Sequence, residues 1–208
     1  MDEMNSPEET TSSGAIKSSL EIAMEKIKNL QSPSDAERLK WKYEPEGAKL
    51  AVKFLKGDDV NLIAELSKFD DNARKYVSAE AAQVMVRRLA LPRDENTRKS
   101  NKRVMDGIKE LKAEKVAVEN VYSKMRRIFT HFSEDGERQK AQAYQMLKKD
   151  LDAKLQEAAK QQLKTDQMKV PVENTPQFLA EWRKLLTRLD APYLQYLEEF
   201  KQQLLDIS

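Results

Sequence analysis

The sequence predicts an all-α protein in which a compact helical base carries a long antiparallel, coiled-coil-like helical hairpin. Three observations predict it. Gly is scarce, at five residues in 208, while 35% of residues are charged; that balance favours helix through most of the chain. Val104, Leu111, Val118, Met125 and Phe132 recur every seven residues, the spacing that holds one seam of a helix against a partner helix. No segment longer than Val170 to Val172 reads as a strand.

Residues 1–14 read as a disordered acidic tail. They hold Asp2, Glu3, Glu8 and Glu9 among Ser and Thr, with almost nothing apolar to bury. Residues 15–92 are expected to form the base. Ile16, Leu20, Ala23, Met24, Ile27 and Leu30 share one helical face, which suits a core or partner-docking helix. A helix lying on a membrane competes with that reading. Its polar face, with Glu21 and Glu25 against Lys17, Lys26 and Lys28, is only weakly basic, and anionic lipid favours a strongly basic one.

Ser34-Asp35-Ala36-Glu37 matches a capping box and predicts a helix start. That helix carries Leu39, Trp41 and Tyr43, and Pro45 is expected to close it and open a second, Glu46 to Lys56. Gly57 should stop the second. Asp58 or Asp59 is expected to cap a helix bearing Leu62, Ile63, Leu66 and Phe69. After Asp70-Asp71-Asn72, a further helix runs through Val84 and Met85 and ends at Pro92.

The hairpin is expected over residues 93–169, with its tip at Phe132-Ser133-Glu134-Asp135-Gly136. A first arm from 95 to 132 would be about 57 Å long. Tyr144, Leu147, Leu151 and Leu155 should answer it from the second arm. Residues 170–208 predict a helical pair packing on the base. Thr175-Pro176 starts it, Phe178, Leu179, Trp182, Leu185, Leu186 and Leu189 form its first stripe, and Asp190-Ala191-Pro192 breaks it. Tyr193, Leu197, Phe200, Leu204 and Ile207 line its last helix.

The chemistry of catalysis is thin. There is no Cys and one His, His131, so a nucleophile–His arrangement would have to use that residue. A di-metal helical site needs His on two helices. The glycines are isolated, so no phosphate-cradling loop exists. The expectation is no enzyme, no cofactor and no metal. No apolar run reaches the roughly 20 residues that cross a bilayer, and the acidic start is unlike a secretory leader; a cytoplasmic protein is expected.

One charge asymmetry stands out. From Arg87 to Lys112, nine basic residues face four acids, in a chain whose net charge is +2. Arg87, Arg88, Arg93, Arg98, Lys99, Lys102 and Arg103 are the candidate nucleic-acid contacts, since a basic helix face can follow a phosphate backbone. The competing reading is a solvated face laced with i,i+4 pairs. No aromatic residue interleaves the stripe, which disfavours base stacking.

The segments Ser18-x-Leu20-Glu21-Ile22-Ala23-Met24-Glu25-Lys26 and Glu46-Gly47-x-x-Leu50-Ala51-x-x-Phe54-Leu55 resemble a family of uncharacterised bacterial helical proteins. The resemblance covers roughly the first quarter of the chain. It implies a bacterial cytoplasmic protein and carries no catalytic residues to individual positions.

The function expected is that of a non-enzymatic helical interaction or scaffold protein. Its partner is a protein of unnamed identity, or a second copy meeting Trp182, Leu186, Tyr193 and Phe200. The alternative is a nucleic-acid- or ribosome-associated factor using the basic stripe.

Overall fold

A computed structural model describes residues 18–21, 24, 33–57, 60–161 and 171–207. The tail at 1–14 and most of the first amphipathic segment lie outside them. The chain divides after Arg38 into two units. In the first, Ser18 and Glu21 cap each other: the Ser18 N–H donates to the Glu21 carboxylate at 2.8 Å and the Glu21 N–H to the Ser18 hydroxyl at 3.2 Å. Ser34 and Glu37 repeat the device at 2.8 and 3.3 Å, so the capping box forms as its sequence predicts.

The elements are α1 (Asp35–Lys56), α2 (Leu62–Leu66), α3 (Asp71–Arg88), α4 (Glu95–Leu111), α5 (Lys115–His131), a π-helical turn (Phe132–Gly136), α6 (Glu137–Gln161), a 3-10 turn (Val172–Asn174) and α7 (Pro176–Asp206). The described residues are all-α, with no strand among them. Side chains close most N-termini. Asn61 accepts from the Ala64 N–H at 2.9 Å, Asp70 from Ala73 at 2.8 Å and Asp94 from Thr97 at 2.7 Å. Asn61, one residue before Leu62, is therefore the cap expected at Asp58 or Asp59. Gly57 stops α1 at φ 100°, a backbone conformation that costs Gly little.

Two prolines sit inside helices rather than between them, which corrects two expected breaks. Pro45 lies within α1 and Pro192 within α7. Each removes one backbone hydrogen bond and crowds the preceding turn, a cost of about 3 kcal/mol. Burial on both sides offsets that cost. Gly47, Leu50 and Ala51 follow Pro45 into the core, while Asp190 and Tyr193 flank Pro192.

The expected tip of the hairpin is also corrected. Phe132–Gly136 is not a turn. His131, Phe132 and Glu137 all keep right-handed helical angles, and among the described residues only Gly57 has a positive φ. The chain runs on from α5 through the π turn into α6, about 70 Å from Lys115 to Gln161. The reversal occurs earlier, at Lys112–Glu114, so that α4 and α5 pack on each other. Leu111 and Leu151, expected to share a seam, belong to different clusters: Leu111 borders the main core, while Leu151 packs with Val172 and Phe178.

The main core lies between α3, α4, α5 and the second half of α7, with α1 and α2 laid on α3 and α4. α1 approaches closely because Gly47 has no side chain. A Cβ there would lie 2.4 Å from the Val77 carbonyl oxygen. Gly107 in α4 likewise makes room for Phe54, whose ring would meet a Cβ at 2.6 Å. The first half of α7 packs on α6, where Tyr144 meets Phe178 and Trp182 edge-on at 5.1 and 5.2 Å.

A candidate docking groove between α4 and α5

Because α5 turns back on α4 and then continues straight, the two helices and the π turn enclose a groove of about 720 Å³. Pro92, Met105, Tyr122 and Phe129 supply apolar or aromatic lining. Tyr122 is buried and donates its hydroxyl to the Met105 carbonyl at 2.8 Å, and burial pushes its phenol well above the ordinary range. Asn101, also buried, ties down the chain before α4: its amide donates to the Ala90 carbonyl at 2.6 Å and its oxygen accepts from the Ala90 N–H at 3.1 Å.

The rim is charged with both signs. Arg98, Lys102, Lys109 and Arg126 alternate with Asp106, Glu119 and Glu134. Glu119 bridges the helices, accepting from Arg126 on its own helix and from Lys109 at 3.1 Å across the gap. Those two hydrogen bonds hold its carboxyl below the usual range. The Asp94 carboxyl is lowered the same way, by the Thr97 backbone N–H and hydroxyl.

The seven candidate nucleic-acid residues do not form one strip. Arg98 and Lys102 line this groove, and Lys99 is exposed outside it. Arg87 and Arg88 occupy the last turn of α3, where cations suit the negative end of the helix dipole. Arg93 reaches the buried Asp190 at 2.7 Å. Arg103 donates to the Phe54 carbonyl at 2.6 Å with its guanidinium 4.9 Å from that ring, so it fastens α4 to α1.

The four candidate interface residues also separate. Tyr193 and Phe200, expected to meet a partner or a second copy, are 8% exposed and belong to the main core. Phe132 lies edge-on to the Tyr193 ring at 5.2 Å, and Phe200 sits in the same cluster. Trp182 and Leu186 are half-buried beside α6.

Two clusters escaped the sequence. Asp190, read there as part of a helix break, is 4% exposed and gathers Arg93 and Lys140, whose ammonium lies 3.0 Å from Oδ1. That contact is coulombic; Oδ1 has no hydrogen bond of proper geometry. His131 contacts the Tyr193 hydroxyl through Nδ1 at 2.8 Å and Asp135 through Nε2 at 3.3 Å. Burial raises the Tyr193 phenol, and its ring lies against Phe132 at 5.2 Å, so this chain of groups fastens α7 to the π turn. No group of three or more acidic, His or Cys side chains that could hold a metal occurs among the described residues, and no described helix is long and apolar enough to cross a membrane.

A helical chain with a mixed-charge groove between two helices is the class of protein that emerges. The chain belongs to the family of unknown function (DUF6657), which it matches over residues 63–206. That match covers most of the chain and begins after the first-quarter segments on which the resemblance in sequence was drawn. No curated protein and no solved structure matches it.

Proposed function

We propose that the protein is a non-enzymatic helical interaction protein, with the α4–α5 groove receiving a segment of a protein partner. The observation that carries this reading is the lining of the groove. Apolar side chains form its floor, while acids and bases alternate on its rim, and a partner helix or extended peptide can satisfy both. A phosphate backbone fits less well, because Asp106, Glu119 and Glu134 interrupt the cations it would need. The proposal includes a cytoplasmic setting in a bacterial cell.

A photo-crosslinking residue placed at Lys102 or Ser133 of the full chain tests it in cells, with exposed Lys68 as the control position. The expected result is a discrete protein adduct from the groove positions that survives nuclease and is absent from the control. Adducts to nucleic acid alone, or none beyond the control, would overturn the reading in favour of a nucleic-acid-associated factor or of neither.

A further inference from the structure

The outer face of α1 carries an apolar line that nothing in the proposed groove uses. Trp41, Pro45, Ala48, Val52 and Leu55 recur at spacings of four, three, four and three, which puts all five within one narrow stripe of the helix. Gly47, Leu50 and Ala51 lie on the adjoining face, which is turned to the core. Trp41 is 62% exposed and Val52 44%. Beside the stripe stands Val84 of α3, half-buried against the main core as Leu55 is; these two and the exposed Val52 wall a concavity of about 300 Å³ edged by Lys56 and Arg88.

Charge narrows the choice of occupant. Between residues 40 and 56, α1 has five Lys against two Glu. Both Glu side chains are already paired, Glu44 with Lys40 at 3.6 Å and Glu46 with Lys49 at 2.8 Å. Lys56 and Arg88 flank the groove with no acid across from them among its lining residues. A second copy would press one net-positive strip on another. An anionic bilayer would take the charge but not the shape, since a flat surface cannot enter a furrow between two helices. An amphipathic helix fits both, laying apolar side chains at i, i+3, i+4 and i+7 into such a furrow.

We infer that the α1–α3 furrow is a second docking site, and that its occupant is an acidic amphipathic helix of a protein partner. It is independent of the α4–α5 groove, and either site can fail without the other. The acidic flanks of the partner face Lys56 and Arg88, and its apolar stripe covers Val52, Leu55 and Trp41.

Fluorescence anisotropy on the full-length protein tests this, using two labelled helical peptides with the same Leu stripe and either Glu-rich or Lys-rich flanks. The Glu-rich peptide is expected to bind saturably and the Lys-rich peptide at least about tenfold more weakly, as charge complementarity selects partners. Val52→Glu should abolish binding. Lys56→Glu with Arg88→Glu should invert the preference between the peptides while circular dichroism stays unchanged. Equal binding of both peptides would overturn the acidic partner, and binding unaffected by V52E would overturn the site. A dimer in light scattering that Val52→Glu dissociates would identify a second copy instead. Uptake by phosphatidylglycerol vesicles without peptide binding would identify a membrane surface. Each of those last two results also overturns the proposal.

Discussion

The Tyr122 hydroxyl donates to the Met105 carbonyl at 2.8 Å, and that single bond joins α5 to α4 beneath the groove. It gives the buried phenol its partner, and it can form only if the chain reverses near residue 113. Tyr122→Phe keeps the ring and removes the bond, while the carbonyl keeps its Lys109 N–H within α4. The expected loss is about 0.5–1.5 kcal/mol in urea unfolding. No loss would mean that the two helices do not meet there.

Phe200 distinguishes a core position from an interface. It is buried within the chain, so Phe200→Ala should cost about 3–5 kcal/mol at any protein concentration. A cost that vanishes on dilution, together with a change in mass by light scattering, would return Phe200 to a subunit contact.

Lys140 is 12% exposed along its side chain and meets Asp190, Glu137 and the Phe132 ring. Lys140→Met leaves Asp190 with Arg93 as its one ionic partner among the described residues. A buried carboxylate deprived of a cation costs roughly 1–3 kcal/mol. The double variant Lys140→Met, Asp190→Asn should recover much of it, because the charge has gone. No recovery would show that Lys140 acts mainly through packing.

Glu80 gives a pH signature. Burial first, and the nearby Glu44 second, raise its carboxyl above the ordinary 4.5. The folded state therefore binds that proton more tightly than the unfolded one. Stability contributed at this site is lost as pH rises from 4.5 through the raised value. Glu80→Gln should raise the Tm at pH 7, and the gain should disappear below pH 4.5. A loss of stability at pH 7 would show that the ionised Glu80 is paired favourably.

Much of this fold is legible in the sequence, because caps and apolar spacing are local signals. Ser34 with Glu37, Asp70, Thr175-Pro176 and Gly57 each mark the boundary that they form. The differences share one cause: what a turn residue does depends on tertiary partners that local sequence does not show. Pro45 and Pro192 look like breaks until the burial around them is known. Gly136 looks like a hairpin tip, yet it lies in a helical turn buried against Phe132 and Tyr193. The seven-residue recurrence through Phe132 is real. Val104, Val118, Met125 and Phe132 are all buried, but the partners of the seam are α3 and α7 rather than residues 141–158. In the candidate groove, Arg98 and Lys102 were visible as cations. Phe129 and Glu134, on the far wall, could be joined to them only once the turn at Lys112–Glu114 was placed. The α1 stripe lines up in the sequence only when Trp41 and Val52 share one helix through Pro45.

The continuity of α5, the π turn and α6 creates the groove, and one distance tests it. The chain has no Cys, so Val116→Cys and Leu155→Cys, at exposed positions, accept spin labels cleanly. Pulsed electron–electron resonance between them should give about 60 Å, the rise of 39 helical residues at 1.5 Å each. A distance near 20 Å or less would mean that the chain folds back at Phe132–Gly136, and would contradict both the long helix and the docking groove built on it.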